Sequence, residues 1–391
     1  MTKPHEGMPA FDQSGEPLSF FEFWPMWAFY PPVMLYALYL MLRYRGILLP
    51  TVANPSFPGG GFVGESKADI LALATKHTPE WVADFFAITR PPLTDAAEFN
   101  QFKQDVLSGM EQKGFEFPVV AKPDMGCRGV GVKLLKNEAE LVSYINHFPA
   151  QAKFLIQRYV NLEGEAGIFY SRLPGQAQGE LISITLKYFP YVTGDGVRTL
   201  RELIMADDRA GKLSHLYLKR HVARLDTVAA QGESIRLAFA GSHSRGAIFR
   251  NGTHLITPQM QARFDEISQR LPEFYFGRYD IRFADFAEVQ KGQNFTIVEV
   301  NGAGAESTHI WDRKTTLFKA WLDLFKQFRL LFKTGYLNRQ RGFKPLTLKS
   351  FWRGYQLENC SSPVNGVEPR KGTDATLSAH RLRASYESSY A

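Results

Sequence analysis

The sequence predicts an α+β chain of two lobes built on antiparallel strands, with a hydrophobic segment ahead of them. A length of 391 residues can bury a sizeable core and ordinarily divides into two or more lobes. The run from Val119 to Leu135 is strand-like on both sides of a glycine loop, so the chain returns on itself as a hairpin. Two later strand patterns, over 276–285 and 294–300, bring two chemistry-bearing faces together if they are antiparallel neighbours.

Composition narrows the class. Charged residues make up 22% and hydrophobic residues 45%, the balance of a globular protein. A net charge of +7 suits an anionic ligand or an acidic membrane surface. Lysines and arginines are spread along the chain without a basic arm, which argues against nucleic acid as a partner. The two cysteines, Cys127 and Cys360, provide neither a disulfide framework nor a metal spacing, as expected for a reducing, cytoplasmic compartment.

Residues 1–50 hold the first distinct element. From Phe20 to Leu42 the chain reads FFEFWPMWAFYPPVMLYALYLML and ends at Arg43, Tyr44 and Arg45. No small-residue cleavage site marks a signal peptide. Pro25, Pro31 and Pro32 leave about 12 to 15 uninterrupted helical residues, short of the roughly 20 that cross a bilayer. The expectation is a monotopic or re-entrant anchor on the inner face of a membrane, using residues 20–45. Trp24, Trp27, Tyr30 and Tyr36 suit the interface, and Arg43 and Arg45 suit anionic headgroups. The alternative is a hydrophobic hairpin packed on the protein or in a dimer interface; the sequence does not set the oligomeric state.

Residues 51–116 read as a Pro/Gly-rich linker or ordered loop to residue 66, then helices over 67–88 and 95–113. Strand, glycine loop and strand fill 117–135, and Asn137 caps a helix running to His147. Phe154–Val160 and Leu181–Tyr188 are strands, and Thr199 with Glu202 forms a capping box. Strands follow over 235–240 and 246–250, with a helix over 258–271. A helix over 315–334 places Leu317, Trp321, Leu324, Phe325, Phe328, Leu331 and Phe332 on one side. Residues 336–391 form a C-terminal extension that becomes a polar, mobile tail beyond about Glu358.

Two constellations carry chemistry. Gly126, Gly129 and Gly131 let backbone amides approach anionic oxygens, and Lys122 supplies a nearby charge. No Lys-Ser or Lys-Thr follows, so this is not a Walker loop, and no helix follows, so it is not a dinucleotide fingerprint. Alone, the segment reads equally as a tight surface hairpin with an incidental lysine. In the second constellation, period-two alternation puts Arg278, Asp280 and Arg282 on one face of a strand and Tyr279, Ile281 and Phe283 on the other. Glu299 and Asn301 share a face of the next strand. If the two strands are antiparallel neighbours, Asp280, Glu299 and Asn301 converge as oxygen ligands for a hard cation, suited to two magnesium (or manganese) ions bridging nucleotide phosphates. Either strand alone is as well explained by a surface ion pair and a turn.

The order Lys122-Pro123 with its glycine lid, Gln157-Arg158-Tyr159-Val160, Gly277-Arg278-Tyr279-Asp280 and Glu299-Val300-Asn301 resembles the ATP-grasp superfamily. The likeness spans about residues 117–330, within a domain of 117–335, and is nearest to D-alanine:D-alanine ligases and the ATP-grasp half of cyanophycin synthetases. It implies an ATP-grasp fold, two α+β lobes gripping ATP between antiparallel sheets. Lys122 and the lid, Gly126, Arg128, Gly129 and Gly131, would contact phosphates. Gln157, Arg158, Tyr159 and Val160 would form the adenine-reading hinge, and Glu165, or less favourably Glu163, would take the ribose hydroxyls. Asp280, Glu299 and Asn301 would hold Mg2+, while Arg278, Arg245 and Lys187 would face the reacting phosphoryl and acyl groups. The loop Gly302–Ser307 departs from the ligases' S-P-G-M, which puts D-alanine as substrate in doubt.

The resemblance implies an ATP-dependent carboxylate-amine ligase that forms an amide through an acyl phosphate, with small-molecule carboxylate and amine partners. An ATP-grasp kinase and a membrane-associated nucleotide-binding protein without turnover are the alternative readings. His309 is the one histidine near enough to the Glu299 loop to be an acceptor-side residue.

Overall fold

The computed structural model describes residues 4–12, 16–126, 129–239 and 241–361. Two short helices, α1 (Met26–Phe29) and α2 (Pro31–Arg43), open the chain, each beginning just after a proline or at one. Single 3-10 turns at Leu49–Val52 and Pro58–Gly61 follow, all their residues but the half-buried Pro58 being buried, so residues 51–66 are a packed loop and not a free linker. Ser66 then caps α3 (Lys67–His77) by accepting from the Asp69 amide.

The helix expected over 67–88 stops at His77, because Thr78 precedes Pro79 and a residue before proline is pushed out of the helical region. The β-favouring run FFAIT instead forms β1 (Phe85–Thr89). Next come α4 (Ala96–Gln112), β2 (Val119–Pro123), β3 (Lys133–Leu135), α5 (Glu138–His147) and β4 (Lys153–Arg158). Asn137 caps α5 through the Glu140 amide, as its sequence position predicts. These strands form a four-stranded sheet in the order β1-β4-β2-β3, with every pairing antiparallel. One face packs on α4 and α5 through Phe102, Val106, Leu141, Ile145, Phe154 and Ile156.

A second sheet is laid down by β5 (Gly164–Ser171) and β6 (Glu180–Tyr188). The chain then leaves it for a small accessory unit of β7 (Tyr191–Thr193), α6 (Leu200–Ala206), α7 (Ser214–Tyr217) and β8 (Ser234–Arg236). Thr199 and Glu202 close the expected capping box at the start of α6. The chain returns through β9 (Ile248–Asn251), α8 (Pro258–Arg270), β10 (Phe276–Phe283), α9 (Phe286–Gln290) and β11 (Phe295–Asn301). The five-stranded order is β11-β10-β5-β6-β9, again antiparallel throughout. Tyr279, Ile281 and Phe283 join the core beneath α3, α8 and α9, so the period-two assignment of β10 holds.

Helix α10 (Leu317–Gln340) is longer than the sequence pattern indicates and packs on α2, and α11 (Leu348–Ser361) runs past the point where the tail was expected to begin. The rest of that tail lies outside the described residues. The architecture is therefore two antiparallel α+β lobes, as the sequence predicts.

Candidate active site between the two sheets

The site is created by the face of the five-stranded sheet that lies opposite its hydrophobic core. Register pairs Asp280 with Glu299 and Arg278 with Asn301 across β10 and β11. The neighbouring β5 brings Glu165 opposite Arg282, and its Gly167 opposite Asp280. A Cβ on Gly167 would stand 3.2 Å from Asp280 Oδ1 and 3.0 Å from the Arg278 Cδ, so glycine there leaves the floor open for these side chains.

These charges form a continuous lattice. Lys187 Nζ lies 3.1 Å from Glu165 Oε1 and 3.1 Å from Asp280 Oδ1. Arg278 Nε donates to Asp280 Oδ1 at 2.9 Å, and Arg282 reaches Glu165 Oε2 at 2.7 Å. Burial opposes ionisation of Asp280, but Arg278 and then Lys187 outweigh it and hold the carboxyl well below the usual range. Burial likewise opposes the Glu165 anion, and Arg282 and Lys187 keep it ionised.

The four-stranded sheet contributes from across the cleft. In β2, Val119 and Ala121 join the lobe's core, so period two turns Lys122 to the opposite side. Lys122 Nζ donates to the Val298 carbonyl at 3.1 Å, and Gln157 Nε2 donates to the same oxygen at 3.2 Å. Val298 is free to offer that carbonyl because a bulge skips it: Asp280 pairs with Glu299 but Ile281 pairs with Ile297. Burial lowers the Lys122 pKa, opposed by Glu299, Glu165 and Asp280, which places the ammonium within the field of all three carboxylates.

Lys67, Glu65 and Glu358 were not singled out by the sequence. Lys67 Nζ donates to the Gly126 carbonyl and lies 3.9 Å from Glu299, so it links the glycine loop to the β11 carboxylate. Glu65 accepts from the Gly302 amide at 2.9 Å, and burial, only partly offset by Lys67, pushes its carboxyl up to about 7. Glu358 on α11 accepts from the Gly64 amide at 2.7 Å. The close approach requires glycine: a Cβ on Gly302 would sit 2.6 Å from the Gly61 Cα. The Ser66-Lys67 pair beside a capping pattern is the sole local signal for this cluster; its contacts join segments far apart in sequence.

Not every expected residue points into the cleft. Gln157 lies inside β4 with its side chain committed to Val298, so the connector between the sheets is residues 159–163, carrying Tyr159 and Val160. Arg158 faces away, over the Phe115 ring at 4.9 Å and toward Asp84. Glu165 does not project freely for ribose hydroxyls, being clasped by Lys187 and Arg282. Glu163 accepts from Tyr191 at 2.8 Å and Arg236 at 3.1 Å. In the lid, Gly126, Gly129 and Gly131 all have positive φ, while Arg128 lies outside the described residues. Arg245 sits in the turn His243–Arg245, where its carbonyl accepts from Arg220.

On the far side of Arg278, its NH1 donates to the Glu306 carbonyl at 3.0 Å, and the Glu306 carboxylate accepts from Tyr30 at 2.6 Å. The N-terminal segment therefore closes this end of the site. His309 is buried, its Nε2 bonded to Asp323 at 3.1 Å and its Nδ1 without a partner among the described residues.

No protein-family model matches the chain. Two curated relatives, each named glutathione biosynthesis bifunctional protein GshAB and both from Streptococcus agalactiae, are 23% identical over 205 residues, 47% of this chain and 26% of theirs. The chain thus spans about a quarter of the length of these relatives. Among solved structures, a bifunctional glutathione synthetase from Pasteurella multocida overlaps 67% of this chain and 36% of its own at 15% identity and a TM-score of 0.33. A D-alanine–D-alanine ligase from Bacillus anthracis complexed with ATP overlaps 71% of this chain and 68% of its own at 14% identity and a TM-score of 0.38. The VanG D-Ala:D-Ser ligase of Enterococcus faecalis gives 72% and 64% at 11% identity and a TM-score of 0.38. Two antiparallel lobes facing each other across a charged cleft agree with the ATP-grasp resemblance of the ordered motifs.

Proposed function

We propose that the chain is an ATP-dependent carboxylate-amine ligase that forms an amide through an acyl phosphate. The observation that carries this reading is the meeting of Lys122 from one sheet with Asp280, Glu299 and Asn301 from the other, across the cleft between the lobes. The cleft has unfilled bonding capacity. Asn301 Nδ2 is buried without a partner among the described residues, and the Lys122 ammonium bonds a carbonyl although three carboxylates lie within its field. A polyphosphate with a divalent cation supplies what both lack.

The donor set fits magnesium. Asp280, Glu299 and Asn301 share one strand-pair face, and among the described residues no group of three or more His, Cys, Asp or Glu is arranged to hold a metal by itself. Two carboxylates and an amide are the few protein oxygens that magnesium takes when phosphate and water complete its shell. Bound there, Mg2+ would neutralise phosphate charge. Lys122 and the glycine loop would hold the phosphate oxygens, and Arg278 would steady charge developing on the acyl group. Lys187 would keep Asp280 ionised and positioned. The apolar segment 20–45 supports peripheral attachment of this enzyme to a membrane.

Incubation of the purified protein with ATP, Mg2+ and pools of amino acids and hydroxy acids tests the reading by product. ADP, phosphate and an amide support ligation. A phosphorylated acceptor would instead make it a kinase, and nucleotide binding without turnover would make it a non-catalytic binder.

A further inference from the structure

The surface around α1 and α2 breaks the usual rule for a solvated helix. On α2 the outward stripe is Met34, Leu35, Leu38, Tyr39 and Leu42, all exposed, with Leu35 at 69% and Leu42 at 72%. The opposite stripe, Val33, Ala37 and Leu40, is buried. No charged residue occurs between Pro31 and Leu42, so the helix is apolar on both sides. Ahead of it, Phe20, Met26 and Trp27 are also exposed, Trp27 at 79%. A contiguous apolar patch of this kind needs a cover. Among the described residues no helix is long and apolar enough to cross a membrane.

Helix α10 extends the patch and gives it a direction. The two helices run in parallel: Trp321 Nε1 donates to the Phe29 carbonyl, Tyr36 packs on Phe325, and Tyr44 packs on Tyr336. At the α1 end, α10 exposes Phe318 and Leu322. Farther along, one helical side exposes Lys326, Arg329 and Lys333, spaced by three and four residues, beside exposed Arg43 and Arg45 at the end of α2. The acidic residue on this part of α10, Asp323, is neutralised by contacts with Lys319 and His309. The α2 stripe is thus apolar along its length, while the α10 stripe beside it passes from apolar at the α1 end to basic at the other, with no carboxylate on α2 opposing it.

We propose that α1, α2 and α10 form one composite face that docks on an anionic lipid bilayer, with the apolar stripe of α1 and α2 inserted into the interface and the basic stripe of α10, with Arg43 and Arg45, on the headgroups. Apolar burial supplies insertion, and each lysine or arginine near an anionic surface adds selectivity over a neutral one. This deepens the attachment reading, and it does not depend on turnover. The docked face adjoins the site, since Tyr30, between α1 and α2, holds Glu306. The acceptor end of the cleft therefore lies next to the bilayer.

Flotation of the full chain with vesicles of phosphatidylcholine, with and without phosphatidylglycerol, reads the proposal directly. Binding to the anionic vesicles should exceed binding to neutral ones by at least about tenfold and weaken with salt. The triple variant Lys326→Ala, Arg329→Ala, Lys333→Ala should lose roughly 100-fold on anionic vesicles and keep its residual binding to neutral ones. The pair Leu35→Gln, Leu38→Gln should lose binding to both while the melting temperature holds, because both side chains are already exposed. Equal binding to neutral and anionic vesicles would overturn the composite face while leaving attachment standing. Binding to neither, or a lipid-free dimer dissolved by Leu35→Gln, Leu38→Gln, would overturn both.

Discussion

Two of the buried charge clusters among the described residues are finished differently. In the first, Glu22 of the N-terminal segment is clasped by Arg209 at 2.5 Å and His243 at 2.9 Å, with Phe23 and Trp311 stacked on the His243 ring. Its carboxylate oxygens are occupied, although Arg209 Nε is buried without a partner among the described residues, and the cluster ties the apolar segment to the accessory unit and to the loop carrying Arg245. In the second, between the sheets, Lys122 bonds a carbonyl, Asn301 Nδ2 is orphaned, and the nearest cation to Glu299 among the described ion pairs is 3.9 Å away. Burying charge is costly unless it is fully paired. A carboxylate whose oxygens are all bonded is explained by structure alone, whereas an ammonium turned to a carbonyl beside a loosely paired carboxylate points to something that binds.

The contrast predicts opposite responses to mutation. The largest effect belongs to Glu299→Gln, which should lower kcat by about 1000-fold while moving the melting temperature by no more than about 2 °C. Steady-state ADP release and a thermal melt measure both, and full activity would remove Glu299 from the site. Glu22→Gln should do the reverse, costing about 3 kcal/mol of stability because it leaves Arg209 buried without its anion. Chemical denaturation at several pH values sharpens this. Burial opposes the Glu22 anion, but His243 and Arg209 hold its folded pKa below the ordinary 4.5. Its contribution is therefore full above 4.5 and is lost as pH falls through the lower folded value, so wild type and variant should converge in acid. If the gap between them stays constant into acid, the triad is not an ion pair.

A smaller effect separates binding from stability at one residue. Lys122→Met should raise the KM for ATP at least about tenfold yet leave stability unchanged, or raise it by up to about 1 kcal/mol, because it replaces a buried ammonium with an apolar chain. Marked destabilisation would mean that the Val298 hydrogen bond, and not a ligand, is what Lys122 serves. Smallest is Tyr30→Phe, which removes one hydrogen bond to Glu306 and should cost about 1 kcal/mol or less in stability, read by a thermal melt. A loss as large as that of Glu22→Gln would put Tyr30 in a structural cluster of its own.

What was legible in the sequence was local. Alternation over Arg278–Phe283 specifies which side chains share a face, and Glu299 and Asn301, two apart, share theirs, but the bulge at Val298 that puts Ile297 and Val300 in one core and sets Asp280 against Glu299 was not legible. The caps at Asn137 and Thr199 were legible as well. Partners that depend on strand order were not. Glu165 meets Lys187 and Arg282 because β5 lies between β6 and β10, an arrangement that no spacing along the chain encodes. Lys67 reaches Glu299 through the packing of α3 beside β11. Phe85–Thr89 was read as helix because an apolar run follows α3, and its pairing with β4 decides otherwise. Glu22, an acid inside an apolar run, is explained only when Arg209 arrives from the accessory unit and His243 from the turn that carries Arg245.

The central claim is that the cleft between the sheets activates a carboxylate with ATP. It is tested most directly by mass spectrometry of the products formed by wild type and Glu299→Gln from ATP, Mg2+ and pooled carboxylates and amines. The account predicts ADP, phosphate and a new amide from wild type and none from the variant. An amide formed equally by both, or a phosphorylated acceptor without an amide, would contradict it.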